Sequence, residues 1–324
     1  MNTEVSLNKL YKQRFRKFYS EYTYLFSFMV LVVVAVIVND KFLTYSNLST
    51  LMLQATIKGI IALGMTLIII SGQIDLSVGS MAALVAGLGV AVLNNTQSIL
   101  VMLLFCLAFG TILGFVNGLL VTKGKIAAFI VTLATMSAYR SIIVQLGQGG
   151  PFNVSAELND RFRMIAAGNI FGIPNLAIVF VIAMAIMTFV MSKTKFGRYV
   201  YAVGSNENAA RLTGINIDRI KILCFSITGF LTGISAFLLS SRLTSITAPN
   251  AGISFELDAI AAVAIGGTAM NGGRGKVVGT FLGAIMLQMI EGILIAAKIP
   301  PFLTGLVKGI IIILAVLFQS KKNK

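Results

Sequence analysis

The sequence predicts an all-α fold: a polytopic membrane protein with about ten transmembrane helices and a weak internal repeat. Composition is the first reason. Of 324 residues, 57% are hydrophobic and 11% charged, whereas a soluble domain carries roughly 25% charged residues. The second is that the apolar residues form nearly unbroken runs, such as Leu25 to Val38, Ile57 to Ile70, Ile99 to Leu107 and Ile310 to Phe318. The third is that the basic residues sit at the ends of the chain and in short gaps between those runs.

A helix crossing a lipid core needs about 20 apolar residues. Hydropathy places spans at 24–38, 55–71, 78–93, 99–121, 126–146, 174–192, 222–240, 257–271, 277–297 and 302–318. Ahead of the first, Lys9, Lys12, Arg14, Arg16 and Lys17 resemble the basic region of a signal peptide. The apolar run that follows is long and leads to Asn39, Asp40 and Lys41 with no small-x-small cleavage site, so it reads as a retained helix. The third span, at 16 residues, makes a helix of only about 24 Å and could be broken or half inserted.

With the N-terminus in the cytoplasm, 18 lysines and arginines fall in internal segments, five in external ones and three (Lys58, Arg140, Lys308) inside spans. That bias orients the chain with both termini cytoplasmic. The organisation expected is a cytoplasmic segment at 1–20, a single transmembrane domain at 21–320, and within it a cytoplasmic coupling segment at 193–221. There Ser205, followed by Glu207, Asn208, Ala209 and Ala210, reads as a capped short helix closed by Gly214. The segment from Gly147 to Ile173 is expected outside.

Several functions are excluded by pattern. The formal charge of +15 is topological, and nucleic acid is not an expected partner. Cys106 and Cys224 lie in apolar stretches with no CxxC and no histidine in the chain, which argues against a zinc site or a disulfide framework. GGRGKVVG does not fit GxxxxGK[ST]: Val277 follows Lys276, and Met270 holds the first glycine position. No nucleotide site is encoded there, no cofactor is expected, and the glycines suit a tight turn and close helix packing, as Gly110, Gly114 and Gly118 suit packed spans.

The repeat matches Gly72, Val78, Gly79, Ser80 and Ala83 with Gly272, Val278, Gly279, Thr280 and Gly283, an offset of 200. Asn117 to Phe129 also resembles Glu291 to Phe302 with one gap, but two spans separate the matched pieces in the first copy and one in the second. Either 78–93 is not a full span or the copies have diverged. Charges at bilayer depth are costly and mark function or pairing. The candidates for a translocation path are Gln73, Asp75, Ser77, Asn117, Glu256, Asp258 and Glu291. Ser77 is expected to cap the helix that begins at Val78, with Asp75 facing its positive dipole. Glu256 and Asp258 suit a helix N-terminus, and Glu291 suits a cavity.

GQIDLSVGS (72–80), FGRYVYAVGSNENAARLTGINIDRIK (196–221) and ELDAIAAVAIGGTAMNGGRGKVVGTFLGA (256–284) together resemble the permease subunits of bacterial ABC importers for monosaccharides. The likeness covers nearly the whole chain, and IDLSVGS and RLTGIN bring the ribose members nearest. The family often has two glycines where Gly72 and Gln73 stand. The resemblance implies a non-enzymatic transport subunit of the bacterial inner membrane, working by alternating access. Its implied partners are a second permease copy, a cytoplasmic ATP-binding subunit, an extracytoplasmic sugar-binding protein and membrane lipid. It also implies that Phe196, Gly197, Arg198, Gly204, Asn206, Glu207, Ala209, Ala210, Arg211 and Gly214 belong to the segment that docks the ATPase. An ion-gradient-driven secondary sugar transporter is the alternative; it would want buried carboxylates or histidines for coupling, in which this chain is poor.

Overall fold

The computed structural model describes residues 23–300 together with 303, 305–307, 309, 310 and 313. The basic N-terminal segment and most of the expected span 302–318 lie outside the described residues. Helices α1 (Thr23–Val38), α2 (Tyr45–Ile70), α3 (Val78–Thr96), α4 (Ile99–Thr122) and α5 (Ala128–Leu146) come first. A segment follows with β1 (Pro151–Asn153), α6 (Ala156–Ala167), β2 (Asn169–Ile170) and β3 (Ile173–Pro174). Then come α7 (Asn175–Lys193), α8 (Lys195–Ser205), α9 (Glu207–Leu212), α10 (Ile217–Leu243), β4 (Ser245–Thr247), α11 (Phe255–Ile265) and α12 (Val277–Ala296).

Seven of the described helices are long and apolar enough to cross a membrane: α2, α3, α4, α5, α7, α10 and α12, with α1 a shorter apolar helix. The expected span 257–271 is corrected. Its helix α11 has 11 residues, about 17 Å at the helical rise, too short for a core of about 30 Å. It stops where Gly266 is followed by Gly267 at φ +86°, a backbone that cannot continue a helix. Conversely, α3 runs unbroken through 19 residues, about 28 Å, so it is a full-length helix and the repeat copies have diverged.

The connections segregate to two ends of the bundle. At one end β1 pairs antiparallel with β4, and Asn94 at the close of α3 donates to the carbonyl of Asn153 at 2.8 Å. At the other, the amide of Gly273 donates to the carbonyl of Ile70 at 2.9 Å, and Lys123 pairs with Asp218 at 2.7 Å. These are called the hairpin end and, after the role expected of the segment at 193–221, the coupling end.

α2 lies at the centre, in contact with α7, α10, α11 and α12, and α10 also packs along α3 and α4. Two devices bring these helices close. Along α4, Gly110 and Gly114 meet Gly229 and Gly233 of α10, so an added Cβ on Gly114 would run into the carbonyl of Phe225. Between α10 and α2, Ser235 donates to the carbonyl of Ile57 at 2.7 Å and Thr228 to that of Gly64 at 3.1 Å. Since lipid competes equally for apolar side chains, close backbone approach and such hydrogen bonds are what select helix partners. α4, α5 and α7 leave apolar side chains such as Leu104, Phe129 and Phe189 exposed, a surface suited to lipid.

Candidate functional site

The segment at 193–221, for which a coupling role is expected, is built from consecutive stop and start signals. Thr194 opens α8 by accepting from the amide of Gly197 at 3.2 Å. Asn206 opens α9 by accepting from Ala209 at 2.9 Å, so the expected cap at Ser205 is corrected by one residue: Ser205 ends α8, and the extended backbone that a cap requires belongs to Asn206. Gly214, at φ +82°, closes α9, with Gly214 donating to Arg211 and Ile215 to Ala210. That is the paired reverse turn for which a left-handed glycine is suited. Asn216 then opens α10 by accepting from Arg219 at 3.0 Å.

This segment is wedged against two glycine turns. Gly204 packs on the carbonyl of Ile70 and the amide of Gly273, where a Cβ would not fit. Gly272, at φ +84°, lies against Gly72, at φ +79°, so the two repeat glycines meet at the coupling end. The Tyr201 hydroxyl donates to the carbonyl of Gly275 at 2.8 Å. Burial pushes that phenol above its ordinary pKa, which keeps it protonated as a donor. Phe196, Gly197 and Ala210 face the bundle, whereas Arg198, Ala209 and Arg211 are exposed, and Leu212 is 90% exposed. Glu207 pairs with Lys221 at 2.8 Å and more loosely with Arg211 at 3.7 Å.

Asp75, Ser77 and Asn117 form a buried polar chain near the coupling end. Asp75 Oδ1 accepts from the Ser77 amide at 2.9 Å and from its hydroxyl at 2.6 Å. Asn117 Nδ2 donates to Ser77 Oγ at 2.8 Å, and Tyr139 donates to Asn117 Oδ1 at 3.2 Å. The expected Ser77 cap is corrected: Ser77 has a helical backbone, and its hydroxyl is turned to Asp75 rather than to an amide of α3. Asp75 Oδ2 is buried without a hydrogen-bond partner among the described residues. Gln73 joins no cluster; its amide donates to the neighbouring Gly72 carbonyl at 3.0 Å.

The second cluster gathers around Lys58, midway along α2. Lys58 of α2 pairs with Asp258 of α11 at 2.7 Å and with Glu291 of α12 at 3.2 Å. Gln288 donates to Glu291 at 2.9 Å and also to Gln54. Lys58, Asp258, Gln288 and Glu291 border a small cavity shared with Ala55, Ala262 and Ala284. Asp258 lies in the first turn of α11, as expected of a helix-start acid, and is also an ion-pair partner. Glu256 is half-buried and packs beside Gly79. Asn117 and Glu291, aligned in the sequence repeat, lie in different clusters.

The structure therefore joins Asp258 to Glu291 through Lys58, and Asp75 to Asn117 through Ser77. Gln54, Gln288, Tyr139, Tyr201 and Leu212 were not singled out by sequence. Helical spacing held a signal for two of them: Gln54 with Lys58, and Gln288 with Glu291, are four and three residues apart and share helix faces. Tyr139 carried none, since its place is set by α5 crossing α4.

A family model described as branched-chain amino acid transport system / permease component matches residues 47–316. The chain is 42% identical over 294 residues to the ribose import permease protein of Bacillus subtilis (strain 168), covering 91% of each. It is 36% identical over 300 residues to the ribose import permease protein of Escherichia coli (strain K12), covering 92% of this chain and 93% of that one. It is 34% identical over 310 residues to the L-arabinose transport system permease protein of Escherichia coli (strain K12), covering 96% and 93%. No solved structure matches. With a match running from the start of α2 through the last described helical residues, the chain belongs to this family of transport-system permease components.

Proposed function

We propose that this chain is the membrane-spanning subunit of an ATP-driven importer that carries a monosaccharide, ribose foremost, into the cytoplasm. The sugar assignment rests on the relatives, whose names specify ribose and L-arabinose import. ATP hydrolysis belongs to a separate cytoplasmic subunit, an extracytoplasmic binding protein delivers the sugar, and two permease copies enclose the path. The coupling end faces the cytoplasm, in keeping with the basic residues gathered there.

The observation that carries the mechanism is the seating of α8 against both glycine turns. Ile70 ends α2, and the turn at 272–276 opens α12, so a push on the exposed Arg211 and Leu212 face reaches both helices at once. Those same helices carry Lys58 and Glu291. A rigid displacement of α8 can thus alter the far cluster, which is the linkage alternating access requires. The test is reconstitution of the permease with its ATPase and binding protein in liposomes. Ribose-dependent ATP hydrolysis with ribose uptake is expected, and hydrolysis coupled to amino-acid uptake instead would overturn the sugar assignment.

A further inference from the structure

We infer that the β2–β3 hairpin is a membrane-interface anchor, with Ile170, Phe171 and Ile173 seated among the lipid headgroups and upper acyl chains at the head of α7. Its tip is built of side chains that water does not favour. Phe171 is fully exposed, and Ile170 and Ile173, which pair across the hairpin, are each more than half exposed. The two-residue loop places Phe171 at φ +50° and Gly172 at φ +80°. Tight hairpin loops with positive φ ordinarily take Asn, Asp or Gly, and a bulky aromatic residue there is an outlier. A strained and fully exposed phenyl ring adds nothing to the packing of the bundle, so its role lies in a contact outside the chain.

Position identifies lipid as the occupant. α7 follows the hairpin directly, and its 19 residues make a helix of about 28 Å, nearly the whole of a hydrocarbon core of about 30 Å. The hairpin therefore begins at the edge of the core. Headgroup regions add about 5 to 7 Å on each side, and two paired residues per strand extend about 7 Å, so the tip stays within reach of the interface. Its base is tied to the helix. The amide of Asn175, the first residue of α7, donates to the carbonyl of Gly168 at 3.0 Å, and the Asn175 side chain donates to the carbonyl of Ile165 at 3.2 Å. Charge agrees with this depth. No charged residue lies between Arg163 and Lys193, so the uncharged stretch begins well ahead of α7 and continues into the exposed Val181, Ile182 and Ile186 of that helix. α6, just upstream, is the contrast: Leu158, Phe162 and Ala166 are buried, while Glu157, Asp160, Arg161 and Arg163 are exposed. A charged outer face stays in water, whereas an apolar tip gains by entering the boundary between headgroups and acyl chains.

The chain contains no tryptophan, so Phe171→Trp installs a single fluorophore at the tip of the full-length permease in liposomes. Asp160→Trp supplies a water-exposed reference on α6. The Phe171→Trp protein is expected to emit to the blue of the Asp160→Trp protein, to be quenched by lipids brominated on the upper acyl chain, and to resist iodide supplied on both sides of the membrane. The Asp160→Trp protein is expected to be quenched by iodide and not by brominated lipid. Iodide quenching of the Phe171→Trp protein, with no effect of brominated lipid, would leave the tip in water and overturn the anchor. Protection from both quenchers would mean that a second copy of the chain covers the tip, and would overturn it as well. Should Phe171→Trp fail to fold, Ile170→Trp places the fluorophore one residue earlier, off the positive-φ loop, and is read by the same three outcomes.

Discussion

Charge reversal at Arg211 separates a docking surface from a solvated helix, because the intramolecular cost can be bounded from the structure. Arg211 is 69% exposed and stands 3.7 Å from Glu207. An exposed pair four residues apart on a helix contributes only about 0.3 to 0.5 kcal/mol. Arg211→Glu replaces that attraction with a repulsion of similar size, about 1 kcal/mol or less in all. Lys221 still holds Glu207 at 2.8 Å, and the Asn206 cap and the Gly214 turn do not involve the Arg211 side chain. The variant is therefore expected to insert and melt close to wild type. If Arg211 meets a carboxylate of the ATPase, reversal confronts like charges across an interface, a cost of roughly 2 to 5 kcal/mol, enough to abolish co-purification. The assays are ATPase pull-down from detergent and sugar uptake in liposomes. Normal association with normal uptake would refute the docking assignment, and a large drop in melting temperature would refute the bound on the intramolecular cost.

Two further predictions address orientation and the buried polar chain. Cys106 and Cys224 are both buried, so single cysteines report cleanly. Asp160→Cys in α6 is expected to react with an impermeant maleimide from outside and Asn208→Cys in α9 only from inside, and the reverse pattern would invert the proposed topology. Asp75→Asn is expected to retain part of its transport, because an amide oxygen can accept the two bonds from Ser77. Asp75→Ala leaves both donors unmet, at a cost of about 1 to 3 kcal/mol seen as a lower melting temperature. Complete loss of transport in a normally folded Asp75→Asn protein would show that the carboxylate charge itself is required.

Some of this architecture was legible from one-dimensional signals because those signals act locally. Lipid demands long apolar runs with internally satisfied backbones, so the spans could be read from hydropathy. Helix α9 announced itself through Glu207 and Gly214, which act within a few residues of the chain, although its cap is Asn206 and not the expected Ser205. What failed was the span at 257–271, where apolar composition continued past Ile265 but Gly266 and Gly267 ended the helix. Ser77 failed as a cap for a different reason: Asp75, two residues earlier, competes for its hydroxyl.

By itself, the sequence determined a helical membrane protein and the family to which the chain belongs. Only the tertiary structure decided which spans form the core. Among the described spans the most hydropathic, α4, is 22% buried, whereas the less hydropathic α2 is 83% buried. Lipid and protein interior are equally apolar, so hydropathy does not rank helices by depth; small residues and interhelical hydrogen bonds do. The meeting of Lys58 with Asp258 and Glu291 was likewise undecided, because those residues are some two hundred positions apart and are brought together only when α11 and α12 pack on α2.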